Sequence, residues 1–222
     1  MTAARQIYAI VRKDLLLELR AREQVIGMAV FALLTLVTFN FAFDLTGADR
    51  AASGSGALWV AIIFAGLLGM GRAAAIDRQQ GAWEGVLLSP VDRGTIFLGK
   101  LASALLFIGI VEALAMAVFA ALFSLPVLHP MVLLVVCLGT VGFGTLGTLF
   151  SVMAATTRAR EVMLPVLLFP LSLPIVISAV RATTLLLTDR QAEVGPWISL
   201  LLGFDVLFLG ISYIVFGHAV EE

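Results

Sequence analysis

Residues 25–43 read VIGMAVFALLTLVTFNFAF, an apolar stretch without a charged side chain. A helix that crosses the hydrocarbon core of a bilayer needs about 20 such residues, whereas a membrane β-strand is about half as long and alternates in polarity. A secretory signal has a shorter apolar core that ends in a small-residue cleavage site. The stretch is therefore predicted to be a retained transmembrane helix.

Further windows of the same character follow it along the chain. The sequence of 222 residues is 61% hydrophobic and only 13% charged, whereas soluble domains average about 45–50% apolar and about 25% charged residues. We therefore predict an all-α integral membrane protein, in which residues 1–222 form a single transmembrane domain of six helices. The predicted spans are 25–43, 58–76, 101–124, 131–155, 162–180 and 197–217.

The segment before the first span, residues 4–22, reads ARQIYAIVRKDLLLELRAR. At helical spacing its apolar residues cluster on one face and most of its basic residues lie opposite, although Asp14, Glu18 and Arg22 interrupt the apolar side. This pattern predicts an interfacial elbow helix that lies along the inner membrane surface before the first span. A plain basic flank, which only fixes topology, remains the alternative.

The distribution of Lys and Arg predicts how the helices cross the membrane. With the N-terminus in the cytoplasm, all but three of the 14 Lys and Arg residues lie on the cytoplasmic side. The exceptions are Arg50, Arg181 and Arg190. This bias follows the positive-inside rule, and it places both termini in the cytoplasm. The net charge of −1 gives no indication of nucleic-acid binding.

The longest cytoplasmic connection, residues 77–100, contains the short amphipathic piece AWEGVLLSP. Trp83 and Leu87 are its side chains available for burial. A short helix in such a loop can dock in a groove on a motor protein, which a transporter without its own motor requires. The alternative is an interfacial turn, in which Trp83 is an ordinary membrane anchor.

The end of this connection, GTIFLGKL at residues 94–101, matches the phosphate-binding G-x-x-x-x-G-K pattern until Leu101 replaces the required Ser or Thr. The neighbouring spans leave no room for the α/β domain in which that pattern binds ATP. We therefore predict that Gly94 and Thr95 start a helix and that Lys100 anchors the third span at the inner interface.

A second misleading pattern, GFGTLG at residues 142–147, resembles a dinucleotide-binding loop but lies inside an uncharged span. Glycines in a transmembrane helix let neighbouring helices approach closely. The favoured interpretation is therefore helix packing, through Gly139, Gly142, Gly144 and Gly147.

Three prolines lie in the fifth span, at Pro165, Pro170 and Pro174. Each removes a backbone donor and is expected to bend the helix, and the freed carbonyls must find other partners. Such a helix suits a moving element of a transporter, and it equally suits static shaping of the bundle.

Two carboxyl groups lie inside predicted spans, Glu112 in the third and Asp205 in the sixth. No Lys or Arg lies at a matching depth, and an unpaired charge in hydrocarbon is costly. Each carboxyl is therefore expected to be neutral, or to face water or the bundle interior. Two roles remain open: a polar element of a substrate or proton path, and a neutral carboxyl bonded to a neighbouring helix.

The remaining candidates for chemistry are few. Cys137, the single cysteine, lies in apolar surroundings and is predicted to be a buried, inert thiol. His129 in an outer turn is a weak candidate for a haem ligand, and an ordinary loop residue is the favoured interpretation. We find no catalytic constellation and no set of metal ligands, so neither a catalytic nor a metal site is predicted.

Four stretches make the chain resemble the CcmB family, the haem exporter B subunits of bacterial cytochrome c maturation. The stretches are VRKDLLLELR (11–20), the long segment from LWVAIIFAGLLGMGR to GTIFLGK (58–100), LGTVGFGTLGTLFS (138–151) and LPVLLFPLSLPIVI (164–177). The second stretch is the most specific. It contains the pattern D-x-x-x-G-x-x-E, a proline turn and a lysine at the entry to the next span, at Asp77, Gly81, Glu84, Pro90 and Lys100.

The resemblance implies a permease subunit in the inner membrane, without its own ATPase site, that works with a separate CcmA-like ABC ATPase. The loop after the second span would carry the coupling helix, with contacts expected at Asp77, Arg78, Gly81, Trp83, Glu84, Leu87 and Pro90. Two copies would pair with two ATPase chains, in contact with CcmC-, CcmD- and CcmE-like proteins and with lipid. ATP would act only through the partner, and haem would be cargo or a ligand held by a partner.

The resemblance leaves open whether the complex moves haem or releases a haem-loaded chaperone. Three other functions also remain open. The chain could be an ABC-exporter permease for a lipid, drug or polysaccharide. It could be a motor-free channel or proton-coupled carrier that uses Glu112 and Asp205. It could also be an assembly scaffold that transports nothing.

Overall fold

The computed structural model describes residues 2–43, 48–79, 91–155 and 160–219, with side chains in 2–43, 50–76, 91–153 and 164–217. Over these ranges the chain is helical and contains no strand. The helices are α1 (Ala3–Ala21), α2 (Glu23–Ala42), α3 (Ala48–Gln79), α4 (Arg93–Phe123), α5 (Pro130–Ala155), α6 (Arg160–Leu187) and α7 (Gly195–Ala219), with a 3-10 turn at Gln191–Glu193. Six of them, α2 to α7, are long and apolar enough to cross a membrane. The predicted all-α fold with six transmembrane helices is thus confirmed.

Several helices extend beyond the apolar windows that predicted them. Helix α3 begins at Ala48, α4 begins at Arg93, and α6 continues to Leu187. Charged residues such as Arg50 and Arg181 end an apolar window, but they do not interrupt backbone hydrogen bonding within a helix. The start of α4 is set by Asp92, whose side chain accepts a hydrogen bond from the backbone N–H of Thr95 at 3.2 Å. The residues of the phosphate-loop-like pattern therefore form the first turns of α4.

Helix α5 is the central helix of the bundle. It packs against α3, α4, α6 and α7, and it is the most buried of the described spans. Each of its four predicted packing glycines faces a side chain that an added Cβ would overlap. The pairs are Gly139 with Trp59, Gly142 with Asp205, Gly144 with Leu105, and Gly147 with Met70. Three different helices thus approach the α5 backbone closely.

Trp59 of α3 fills the space that Gly139 leaves. Its side chain is 1% exposed, and its indole Nε1 donates a hydrogen bond to the hydroxyl of Thr183 in α6 at 3.1 Å. That hydroxyl in turn donates to the carbonyl of Ala179 at 2.7 Å. One large side chain therefore joins α3, α5 and α6 and satisfies its polar atom inside an apolar core.

Helix α6 continues without a break past its three internal prolines, Pro165, Pro170 and Pro174. Each proline lacks the backbone donor that the helix would otherwise use. The hydroxyl of Ser178 donates to the carbonyl of Pro174 at 2.7 Å, which is not one of the carbonyls that lose a donor, since those lie four residues before each proline. The prolines remove donors here without ending the helix, and their role in movement stays a prediction.

Candidate functional site

The residues predicted to contact an ATPase lie where α3 ends and α4 begins. Asp77 and Arg78 belong to the last turns of α3, and their side chains lie outside the described part of the structure. The others, Gly81, Trp83, Glu84, Leu87 and Pro90, lie outside the described residues altogether. The structure therefore describes the helices on either side of this connection, of which α4 starts at Arg93.

Helix α1 packs along the first turns of α4. A Cβ added to Gly99 would lie 2.7 Å from Cδ1 of Ile10, so the two helices approach closely at this point. One residue further on, Lys100 Nζ lies 3.2 Å from both carboxylate oxygens of Asp14. The two side chains are only 12% and 11% exposed, and Lys13 lies 2.7 Å from the same carboxylate. Asp14, which interrupted the apolar pattern of α1, is thus the partner of Lys100.

Helix α7 packs on another side of the same turns. The rings of Phe97 and Phe216 are both fully buried, with centroids 5.3 Å apart. Gly94 lies against the ring of Tyr213, and Arg93 Nη1 donates to the carbonyl oxygen of Gly217 at 3.2 Å. We call the segment Arg93–Leu101, held between α1 and α7, the α4 clamp. This segment is therefore in direct contact with both of those helices.

The junction between α1 and α2 is fixed by Glu18. Its carboxylate is buried and accepts a hydrogen bond from the backbone N–H of Val25 at 2.8 Å, which caps the start of α2. Arg22 between the two helices has a positive φ of 55°, and its N–H donates to the carbonyl of Glu18 at 2.6 Å. An ion pair between Glu23 and Arg72 links this turn to α3. The predicted helix over 4–22 is therefore present as α1, while its location at the membrane surface stays a prediction.

The two intramembrane carboxyl groups both face α5. Glu112 of α4 is buried and accepts a hydrogen bond from the hydroxyl of Thr140. Asp205 of α7 is 6% exposed and lies over Gly142, and neither of its oxygens has a hydrogen-bond partner among the described residues. Positions 140 and 142 point about 200° apart around a helix. The two carboxyls therefore approach α5 from opposite sides, and the structure does not bring them together.

A family model described as CcmB protein matches residues 5–222 of the sequence. The chain belongs to the CcmB family. It is 29% identical over 171 residues to heme exporter protein B of Rhodobacter capsulatus, a match that covers 76% of this chain and 78% of that protein. It is 30% identical over 123 residues to heme exporter protein B of Pseudomonas aeruginosa, which covers 55% of each chain. The resemblance stated from the sequence is confirmed.

The remaining candidates for chemistry in this CcmB-family chain offer little. The described residues contain no group of three His, Cys, Asp or Glu side chains that could hold a metal ion. His129 is exposed, and its Nδ1 accepts a hydrogen bond from the backbone N–H of Met131 at 3.3 Å. The expectation that Cys137 is buried was wrong, because the side chain is exposed on α5. In a membrane protein, apolar neighbours in the sequence are as compatible with a lipid-facing side chain as with a buried one.

The α4 clamp and the hydrogen bond between Trp59 and Thr183 were not predicted from the sequence. One signal for the clamp was available, since Asp14 and Glu18 lie on the apolar side of an amphipathic helix, where acidic residues need partners. Nothing in the sequence indicated that the partner of Asp14 would be Lys100, 86 positions away. The role assigned to Lys100, an interfacial anchor, did not include an ion pair.

We expect Glu112→Gln to leave the thermal stability of the purified protein nearly unchanged, because an amide oxygen can accept the hydrogen bond from Thr140. Thr140→Val keeps the volume but removes the donor, and it should lower the free energy of unfolding by about 0.5–2 kcal/mol. Thermal unfolding in detergent measures both. If Glu112→Gln lowers the free energy of unfolding more than Thr140→Val does, the carboxyl of Glu112 has a role beyond this hydrogen bond.

Proposed function

We propose that this chain is the membrane-spanning subunit of an ABC-type haem exporter that serves bacterial cytochrome c maturation. The observation that carries the proposal is the CcmB family match over residues 5–222. It is supported by the two relatives, both named heme exporter protein B, and by six helices that can cross a membrane. The chain would lie in the inner membrane with both termini in the cytoplasm.

In this proposal a separate CcmA-like ATPase supplies the energy and acts on the connection between α3 and α4. Its contacts would be Asp77, Arg78, Gly81, Trp83, Glu84, Leu87 and Pro90. The α4 clamp supports this assignment, because it begins directly after that connection and is held to two other helices. ATP binding would displace the first turns of α4. The Asp14–Lys100 pair would then move α1, and the Phe97–Phe216 contact would move α7.

In this proposal haem is the transported cargo or a ligand held by a partner protein, and it is not ligated by this chain. The one outer histidine, His129, uses Nδ1 as an acceptor for its own turn. The two buried acidic side chains that face α5, Glu112 and Asp205, carry carboxyls, whereas haem iron is commonly ligated by an imidazole or a thiolate. The single cysteine, Cys137, is exposed on α5. Two copies of the chain would assemble with two ATPase chains and with CcmC-, CcmD- and CcmE-like proteins. The output would be haem export or release of a haem-loaded chaperone.

Deletion of this chain tests the proposal. Cells that lack it should lose haem-stained c-type cytochromes, by at least about tenfold, since no other step in the proposed path would supply them. A plasmid copy of the intact sequence should restore the staining. Normal staining in the deletion strain would remove the haem assignment.

The second candidate is a motor-free channel or proton-coupled carrier. It is favoured by the unpartnered carboxyl of Asp205 within a span. Purification from native membranes separates the two candidates, because a stable complex with an ABC ATPase supports the first and contradicts the second. Neighbouring genes for glycan synthesis or drug resistance would instead favour an ABC exporter for a lipid, drug or polysaccharide.

A further inference from the structure

The buried polar side-chain atoms without partners belong to two helices, α5 and α7. Among the described residues they are the hydroxyls of Thr145 and Thr148 in α5 and, in α7, both oxygens of Asp205 and the hydroxyl of Ser212. Other buried hydroxyls have partners: Thr140 donates to Glu112 on α4, and several others donate to carbonyls of their own helix. Ser55 and Ser103 of α3 and α4, for example, donate to carbonyls four residues back, at 2.7 and 3.1 Å.

The unpartnered groups lie within a few turns of one another on α5 and α7, two helices that pack together. Asp205 lies over Gly142, and Thr145 and Thr148 come one and two turns further along α5. Ser212 comes seven residues after Asp205, two turns further on the same face of α7. We call these residues, Thr145, Thr148, Asp205 and Ser212, the polar seam. All four are at least nine-tenths buried, with exposures of 0%, 3%, 6% and 0%.

The polar seam ends at an apolar plug. Leu149 follows the seam on α5 and Phe216 follows it on α7, one turn after Ser212. Both belong to a small buried cluster with Ile96, Phe97 and Leu101 of α4. Three of the five plug residues thus come from the α4 clamp. The segment that follows the α3–α4 connection therefore supplies most of this cluster.

We propose that the polar seam is a path for water, which enters to Asp205 when the plug opens. A carboxyl and three hydroxyls without a basic side chain suit water and the protons it carries, and they do not suit an anionic group such as a haem propionate. Buried polar groups in native proteins are almost always paired, commonly by water. Hydration of the seam would satisfy all of them at once. The inference rests on the proposed function only in that ATPase-driven motion of the α4 clamp would open the plug.

Cysteine labelling of the full-length chain in unsealed membranes tests this inference. With Cys137 replaced by alanine, Thr145→Cys and Ser212→Cys are each exposed to a charged methanethiosulfonate reagent, which reacts with a thiolate solvated by water. The slow reference is Val206→Cys, because the native side chain is 74% exposed on the surface of α7 that faces lipid, where a thiol is not solvated by water. With the plug intact, Thr145→Cys and Ser212→Cys should react as slowly as this reference. Adding Phe216→Ala should accelerate labelling of both by at least about tenfold. Leu149→Ala opens the plug from α5 and serves if Phe216→Ala does not fold.

The matched control is Phe119→Ala, which removes another fully buried ring of the bundle. Phe119 stacks on Phe123 at the opposite end of α4, roughly 33 Å from Phe97 along the helix. Equal acceleration by Phe119→Ala would mean general loosening, and it would overturn the proposal. No acceleration with either plug variant would mean that the seam is dry or sealed elsewhere, which also overturns it. Neither outcome depends on an ATPase or on haem, so the haem-staining result stands independently.

Discussion

Gly139→Leu should prevent the bundle from assembling and leave almost no folded protein in the membrane. An added Cβ at this position would already overlap the indole of Trp59, and leucine places a whole isobutyl group there. Trp59 cannot move aside, because it is fully buried and its Nε1 is bonded to Thr183. Overpacking a well-filled core by a few atoms costs about 1–3 kcal/mol, and a side chain forced against a backbone costs more. The measurement is the fraction of protein that remains monodisperse after extraction into detergent.

A smaller substitution at Gly139 and the same substitution at another glycine separate this packing effect from a general effect of replacing glycine with leucine. Gly139→Ala should lower the free energy of unfolding by about 1–3 kcal/mol and leave a folded protein. Gly203→Leu makes the same substitution of leucine for glycine in α7, where an added Cβ would meet nothing within 4 Å. This variant should therefore fold normally. A monodisperse Gly139→Leu variant with normal thermal stability would contradict the close contact with Trp59.

The all-α fold with six long apolar helices was predictable because hydrocarbon admits few alternatives. A backbone that crosses it without water must satisfy its own hydrogen bonds, so a long apolar window is sufficient evidence for a helix. The helix ends were less predictable. Arg181, for instance, ended the fifth window at residue 180, yet α6 continues to Leu187 because an exposed arginine near the membrane surface is compatible with a helix.

The partners of the candidate site residues could not be predicted from the sequence, because they depend on how the helices are arranged around α5. The glycines of α5 indicated a helix with close neighbours, but not that Gly139 meets Trp59 and Gly142 meets Asp205. Glu112 could have found a hydroxyl on any adjacent helix, and Thr140 is fixed only once α4 lies beside α5. Local periodicity shows which face of a helix is small or polar, and only the packed bundle shows what lies opposite.

Lys100→Met should loosen α1 from α4 and reduce the c-type cytochromes of a complemented deletion strain several-fold, while the protein still inserts. The substitution keeps the length of the side chain but leaves the carboxylate of Asp14 without its partner on α4. Removing one member of a shielded ion pair costs about 3 kcal/mol at the low end, and Lys13, which stays 2.7 Å from that carboxylate, offsets part of this. Hydrogen exchange of the α1 amides measures the loosening directly, because local opening exposes them.

Lys13→Met is the matched control, because it removes the other cation beside Asp14 and leaves the ion pair between Asp14 and Lys100 in place. It should leave both α1 exchange and cytochrome levels near those of the intact chain. A double-mutant cycle of Lys100→Met with Asp14→Asn then isolates the pair. If the two groups act on each other, the double variant should be no worse than Lys100→Met alone, whereas strictly additive losses would show that they act independently. Normal cytochromes in Lys100→Met, together with fast exchange in α1, would separate the clamp from function and contradict its proposed part in transmitting the motion of the ATPase.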